Sequence, residues 1–145
     1  MRKAAALIIG LLFILGPAGC GWNLTGKDRI ISLYRKNESA FIAAAASGDT
    51  AAVKKLRGIR EVSPRGDGEH KEIDFSCGGT GLVPSASYYG ILYVENGEAV
   101  FSHLCDSSPE WSYDGEGYHY RQADGDNDFT YEPLGNDFYY YEEHF

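Results

Sequence analysis

The apolar residues change their repeat near residue 58, and that change sets the fold class. Upstream, Ile30, Leu33, Tyr34, Phe41, Ile42 and Ala45 recur at helical spacings, which places them on one stripe of a helix over residues 27–46. Ser47-Gly48-Asp49 reads as a stop followed by a new N-cap, with Gly48 taking the left-handed conformation. A short helix over 50–56 would turn Val53 and Leu56 inward, and Gly58 would end it. Downstream the period falls to two. A short strand is expected at 59–62, and over 71–77 Ile73, Phe75 and Cys77 alternate with Glu72, Asp74 and Ser76. Residues 88–95 and 98–104 flank Asn96-Gly97, a hairpin signal because both turn residues need positive φ. Aromatic segments follow at 111–113, 118–121 and 129–134, and the chain closes on Asp137-Phe138-Tyr139-Tyr140-Tyr141-Glu142-Glu143-His144-Phe145. Helices first and strands afterwards predict an α+β domain, with an N-terminal helix and a short helix packed on one face of an antiparallel β-sheet.

The first twenty residues describe an address. Arg2 and Lys3 precede an uncharged apolar run from Ala4 to Leu15, then small or turn-forming residues from Gly16 to Gly19, then Cys20. This is the layout of a signal peptide. The apolar run is shorter than the ~20 residues a bilayer-spanning helix needs. Leu15-Gly16-Pro17-Ala18-Gly19-Cys20 resembles the bacterial lipobox, whose cysteine becomes diacylated and N-terminal. Pro17 stands where that pattern prefers Leu, and the same small residues would also serve an ordinary signal peptidase. The expected organisation is a signal peptide at 1–19, a lipidated Cys20 with a short linker to residue 26, and one domain over 27–145.

Charge and cysteines narrow the partners. Without Arg2 and Lys3 the chain carries 11 basic and 21 acidic side chains, and from residue 73 onward Arg121 is the single basic residue. An acidic second half repels phosphate backbones, so no nucleic-acid partner is expected. With Cys20 used as the anchor, Cys77 and Cys105 remain, and in an oxidising compartment these two are the expected disulfide.

The motifs that could carry chemistry are sparse. Asp124, Asp126 and Asp128 alternate like the opening of a calcium loop, but Phe129 and Gly135 stand where that loop needs Gly and Glu. An acidic turn is the expectation, with no metal and no cofactor. Arg65-Gly66-Asp67 spells an adhesion tripeptide whose residues also suit a tight turn. His70, His103, His119 and His144 show no catalytic pattern. Tyr139, Tyr140 and Tyr141 are candidate binding residues: a helical layer covers one strand face, so the other is either packed internally or an aromatic platform.

Cys77-Gly78-Gly79-Thr80-Gly81, the string Ser-Tyr-Tyr-Gly-Ile-Leu-Tyr at 87–93, Gly125-Asp126-Asn127 and the ending Tyr-Tyr-Tyr-Glu-Glu-His-Phe at 139–145 together resemble a family of small bacterial lipoproteins of uncharacterised activity. The resemblance implies one domain and an extracytoplasmic address, and supplies no functional residue. The expectation is a non-enzymatic domain held at the membrane by its N-terminal lipid, binding an envelope protein, a glycan or another extracellular ligand. The alternatives are a small hydrolase using His103 or His119 and a structural or inhibitory lipoprotein.

Overall fold

The computed structural model describes residues 23–65, 71–82, 85–97 and 111–145. Helix α1 spans Lys27–Ser47 and α2 spans Ala51–Lys54. Seven strands follow: β1 (Glu61–Arg65), β2 (Glu72–Leu82), β3 (Ser85–Val94), β4 (Trp111–Tyr113), β5 (Tyr118–Arg121), β6 (Asp128–Gly135) and β7 (Phe138–His144). They form one antiparallel sheet in the order β1-β2-β3-β7-β6-β5-β4. The protein is an α+β fold.

The helix ends follow their local chemistry. Gly48 sits at φ 76° and donates its N–H to the Ala44 carbonyl, while Asp49 Oδ1 accepts from Ala51 N–H at 3.0 Å. Asn37 interrupts the helical dihedrals of α1, and its side-chain amide donates to the Leu33 carbonyl at 2.8 Å. Ile30, Tyr34, Phe41, Ala44 and Ala45 are buried, whereas Ile42, placed on the same stripe from the sequence, is exposed. The fold also begins before α1. Leu24 N–H donates to the Cys77 carbonyl at 3.1 Å, and the Asn23 side chain brackets Gly79, accepting from its N–H at 2.9 Å and donating to its carbonyl at 2.6 Å. The stretch read as linker is thus partly an edge partner of β2. A Cβ at Gly78 would push the Asn23 side chain away from its bonds to Gly79.

Two cores lie among alternate strand residues. One joins Ile30, Tyr34, Phe41 and Val53 to Ile73, Phe75, Ile91, Phe138 and Tyr140. The other gathers Leu92, Val94, Tyr120, Phe129, Tyr131, Tyr139 and Tyr141. Register explains the division. Phe75 pairs with Ile91, which pairs with Tyr140, while Leu92 pairs with Tyr139 and Tyr131 with Tyr141.

Asn96 takes positive φ, at 65°. β3 pairs with β2 on one edge and with β7 on the other. Residues 98–104, expected to follow the Asn96-Gly97 turn as a strand, lie outside the described residues. The tight hairpin is Asn136-Asp137 between β6 and β7, with φ of 53° and 64° and Gly135 opposite Phe138. The C-terminal strand is therefore the centre of the sheet. Among the described residues, no helix is long and apolar enough to cross a membrane.

Candidate functional site

The site grows from the face of the sheet that carries the second core. Arg65 ends edge strand β1, Asp74 lies in β2, and Tyr141 and Glu143 lie in β7, on the far side of β3. Gly90 of β3 lies opposite Tyr141, and a Cβ there would meet the tyrosine ring at 2.7 Å. Its missing side chain leaves room for the ring, and the Arg65 guanidinium lies 5.3 Å from that ring's centroid. From there Arg65 reaches both oxygens of Glu143, at 3.0 and 3.1 Å, and its Nε stands 3.6 Å from Asp74 Oδ2. Tyr141 donates to Asp74 Oδ1 at 2.8 Å, and Tyr131 donates to Glu143 Oε1. Glu143 is 1% exposed and Asp74 8%.

Electrostatics lock these protonation states. Burial pulls the Arg65 pKa down, but the hydrogen bonds and charge of Glu143, with the charge of Asp74, outweigh it and leave the guanidinium more firmly protonated than usual. Burial raises the Tyr131 phenol, and the Glu143 charge raises it further. Tyr141 is likewise raised, by burial first and by Asp74 next. The two hydroxyls therefore stay protonated and act as fixed donors.

A cleft of about 290 Å³ opens over this floor, with Glu61, Ser63 and Ser76 on its walls and Tyr88 and Phe145 at one end. A second cleft, of about 370 Å³, shares Glu61, Ser76 and Tyr88 and extends over the backbone of Gly78 to Gly81. Small-molecule sites begin at roughly 300 Å³, so the first cleft matches one sugar ring or one side chain. A larger cleft of about 570 Å³ runs along α1. Asp28, Arg29, Lys36 and Arg57, the charged residues of its lining, are all exposed.

The residues singled out from the sequence fall differently. Tyr139, Tyr140 and Tyr141 are 6%, 1% and 1% exposed, so they form core on both faces and no platform. Both faces of β7 are buried, Phe138 and Tyr140 in the first core and Tyr139 and Tyr141 in the second. Asp124 and Asp126 are exposed in the β5–β6 turn and Asp128 opens β6; among the described residues no three His, Cys, Asp or Glu side chains are placed to hold a metal ion. Cys77 is a free, fully buried thiol in the first core, where burial pushes its pKa up to about 12. Cys20, Cys105, His70 and His103 lie outside the described residues, as do Gly66 and Asp67. Arg65 itself is committed to the carboxylates rather than offered to a receptor.

The two described histidines are held by neighbours. His119 meets Thr130 Oγ1 at 3.2 Å and Asp114 Oδ2 at 3.1 Å. His144 bridges Ser87 Oγ at 2.6 Å and Glu142 Oε1 at 2.8 Å, and Tyr140 donates to the other Glu142 oxygen at 2.9 Å. That order of hydroxyl, imidazole and carboxylate is the geometry of an activated serine. Ser87, however, lies inside β3 between Thr80 and His144, where its backbone N–H serves the sheet ladder rather than a developing oxyanion. Sequence reasoning missed Asp74 and Glu143 and read Arg65 as a turn residue. The available signal was the polar repeat Glu61, Ser63, Arg65 beside Glu72, Asp74, Ser76, which ordinarily marks a solvated face. Comparison with known protein families, with curated proteins and with solved structures finds no match to this chain.

Proposed function

We propose that this protein is a non-catalytic, extracytoplasmic binding domain, anchored by lipid on Cys20, whose cleft over Arg65 takes a hydroxyl- or ammonium-bearing group of an envelope component. The observation that carries the reading is the cleft itself. Its floor is a set of buried charges whose hydrogen bonds are already made, so binding costs little reorganisation. Three carboxylates, Glu61, Asp74 and Glu143, face one guanidinium there. That balance, beside Tyr88 and Phe145, suits an amino sugar or a peptide amine better than an anion.

Two experiments test the two halves. Cys20→Ala should move the protein from the membrane fraction to the soluble extracytoplasmic fraction, because two or more acyl chains are what give stable anchoring. Equal membrane association of both forms would remove the anchor. A photo-crosslinking amino acid at Ser63 should capture an envelope component in intact cells, while the same group at exposed Tyr113 should not. Capture at both positions, or at neither, would remove the cleft.

A further inference from the structure

One side of α1 carries charge that the fold does not neutralise. Arg29, Leu33 and Lys36 follow one another at spacings of four and three residues, beside the buried stripe of Ile30, Tyr34 and Phe41, so they share one side of the helix. Among the described residues neither Arg29 nor Lys36 makes an ion pair or a side-chain hydrogen bond. Lys27 and Arg65, by contrast, are paired with Glu132 and Glu143.

That side of α1 is one wall of the cleft of about 570 Å³, and Arg57 and Gly58, just beyond α2, line it as well. Its floor is apolar. Gly58 sits at φ 113°, and a Cβ there would stand 3.1 Å from Leu24 and 3.2 Å from Leu33, so both leucines close against the glycine backbone. Three cations, Arg29, Lys36 and Arg57, thus border an aliphatic floor, and among the described residues that line the cleft Asp28 is the one carboxylate. The surroundings carry the same sign. Residues 23–60 hold eight basic and three acidic side chains, in a chain whose net charge is −8.

We propose that this cleft binds a small organic anion, a phosphate or carboxylate group borne on an apolar ring or short chain. Its volume falls within the roughly 300–1,000 Å³ of small-molecule sites, which pair apolar walls with a few charged groups. Guanidinium groups match the paired oxygens of either head, and an ammonium adds a point charge. Arg29 and Lys36 stand about 10 Å apart along the helix axis, so their long side chains can converge on one head group while its body rests on Leu24 and Leu33. The acidic second half of the chain repels such a ligand and the basic helical layer attracts it, which steers encounter to this cleft. The site is separate from the cleft over Arg65, whose three carboxylates suit a group of the opposite charge.

The test is equilibrium dialysis of phenylphosphonate, benzoate and inorganic phosphate against the full-length protein in neutral phosphatidylcholine nanodiscs, with empty nanodiscs as the blank. Saturable binding of phenylphosphonate or benzoate is expected, and the tighter of the two names the head group. Inorganic phosphate, which forgoes the apolar floor, should bind about tenfold more weakly or worse. The double variant Arg29→Gln with Lys36→Gln should weaken the favoured probe about tenfold or more. Lys54→Gln with Lys55→Gln removes the same charge outside the lining and should change binding less than about threefold. All four positions are exposed, so both variants keep the fold. Equal weakening by the two pairs would reveal a diffuse basic surface and overturn the site. Inorganic phosphate binding as tightly as either organic anion, or no saturable binding by the parent, would overturn it too.

Discussion

Beneath α1, Phe41, Phe75 and Phe138 pack with ring centroids 5.0–6.2 Å apart, and no charged side chain belongs to the cluster. On the opposite face the same central strands bury Tyr131 and Tyr141 against Arg65, Asp74 and Glu143. The first arrangement is stabilised by area removed from water, so each side chain contributes nearly independently. The second is stable only as a set, because a buried charge deprived of its partner costs more than the pair contributes. A face built in that way is stiff and polar at once, which is what a pre-formed binding floor requires.

The largest expected effect strikes both faces together. Deleting residues 137–145 removes β7, the fourth of seven strands, with Phe138 and Tyr140 from one core and Tyr139 and Tyr141 from the other. Each such side chain contributes roughly 1.5–3 kcal/mol by burial, against a total stability of about 5–15 kcal/mol for an ordinary domain. The truncated domain should show no cooperative thermal transition. A transition within a few degrees of the intact protein would mean that the strand is peripheral.

Alkali should strike the buried phenols next, Tyr131 and Tyr141 on the polar face and Tyr140 in the first core. Tyr131 and Tyr141 have folded-state pKa values above the ordinary 10.0. Their contribution is therefore fully present below about pH 10 and is lost as pH rises past it, since the unfolded chain releases protons that the folded chain keeps. Each group weakens the fold by about 1.4 kcal/mol per pH unit above that point. Phenolate absorbance from the buried rings should appear together with loss of the fold, in one steep step. Smooth ionisation in a protein that stays folded would show that these rings are reached by solvent.

Removing one charge should cost less than removing the strand. Glu143→Leu strips the half-buried Arg65 guanidinium of its two hydrogen bonds, leaving it only the 3.6 Å pair with Asp74 and the Tyr141 ring, and should destabilise by about 2–4 kcal/mol. The double change Arg65→Met with Glu143→Leu should lose less than Glu143→Leu alone. Phe41→Ala on the other face should cost a similar ~3–5 kcal/mol through its cavity, but without any such rescue. Denaturant unfolding of the parent, these three variants and Arg65→Met checks the contrast, and additive effects of the two polar changes would contradict the idea of a set.

The smallest comparison deletes one oxygen from each face. Tyr131→Phe loses a hydrogen bond to a buried carboxylate, about 1.5–3 kcal/mol, whereas Tyr34→Phe loses a neutral bond to the Gly135 carbonyl, about 0.5–1.5 kcal/mol. Equal losses would mean that the polar face has no special dependence on its charges.

The two faces also differ in how far they can be read from the chain. Helix α1, its Gly48 stop and the strands near 111–113, 118–121 and 129–134 follow local rules, so period and turn chemistry are enough. The neighbours of β3 do not follow local rules. β7 reaches β3 from far along the chain, and Asn136-Asp137 closes the β6–β7 hairpin without the Gly that marks a strong turn signal. Arg65, Asp74 and Glu143 lie 9 and 69 residues apart along the chain, and their alternation is that of a wet strand face. Burial by distant strands turned a pattern that normally means solvent into a polar core, and no local rule anticipates that.

The claim that this polar core is the floor of a binding cleft is tested most directly by filling the cleft while leaving the floor intact. Ser63 lines the opening and is only half-buried, so Ser63→Trp should leave thermal stability within a few degrees of the parent protein. The expected result is that membrane-anchored Ser63→Trp protein no longer retains the envelope component that the parent captures under the same extraction. Undiminished capture by a stably folded Ser63→Trp protein would contradict the account and return the Arg65 network to a purely structural role.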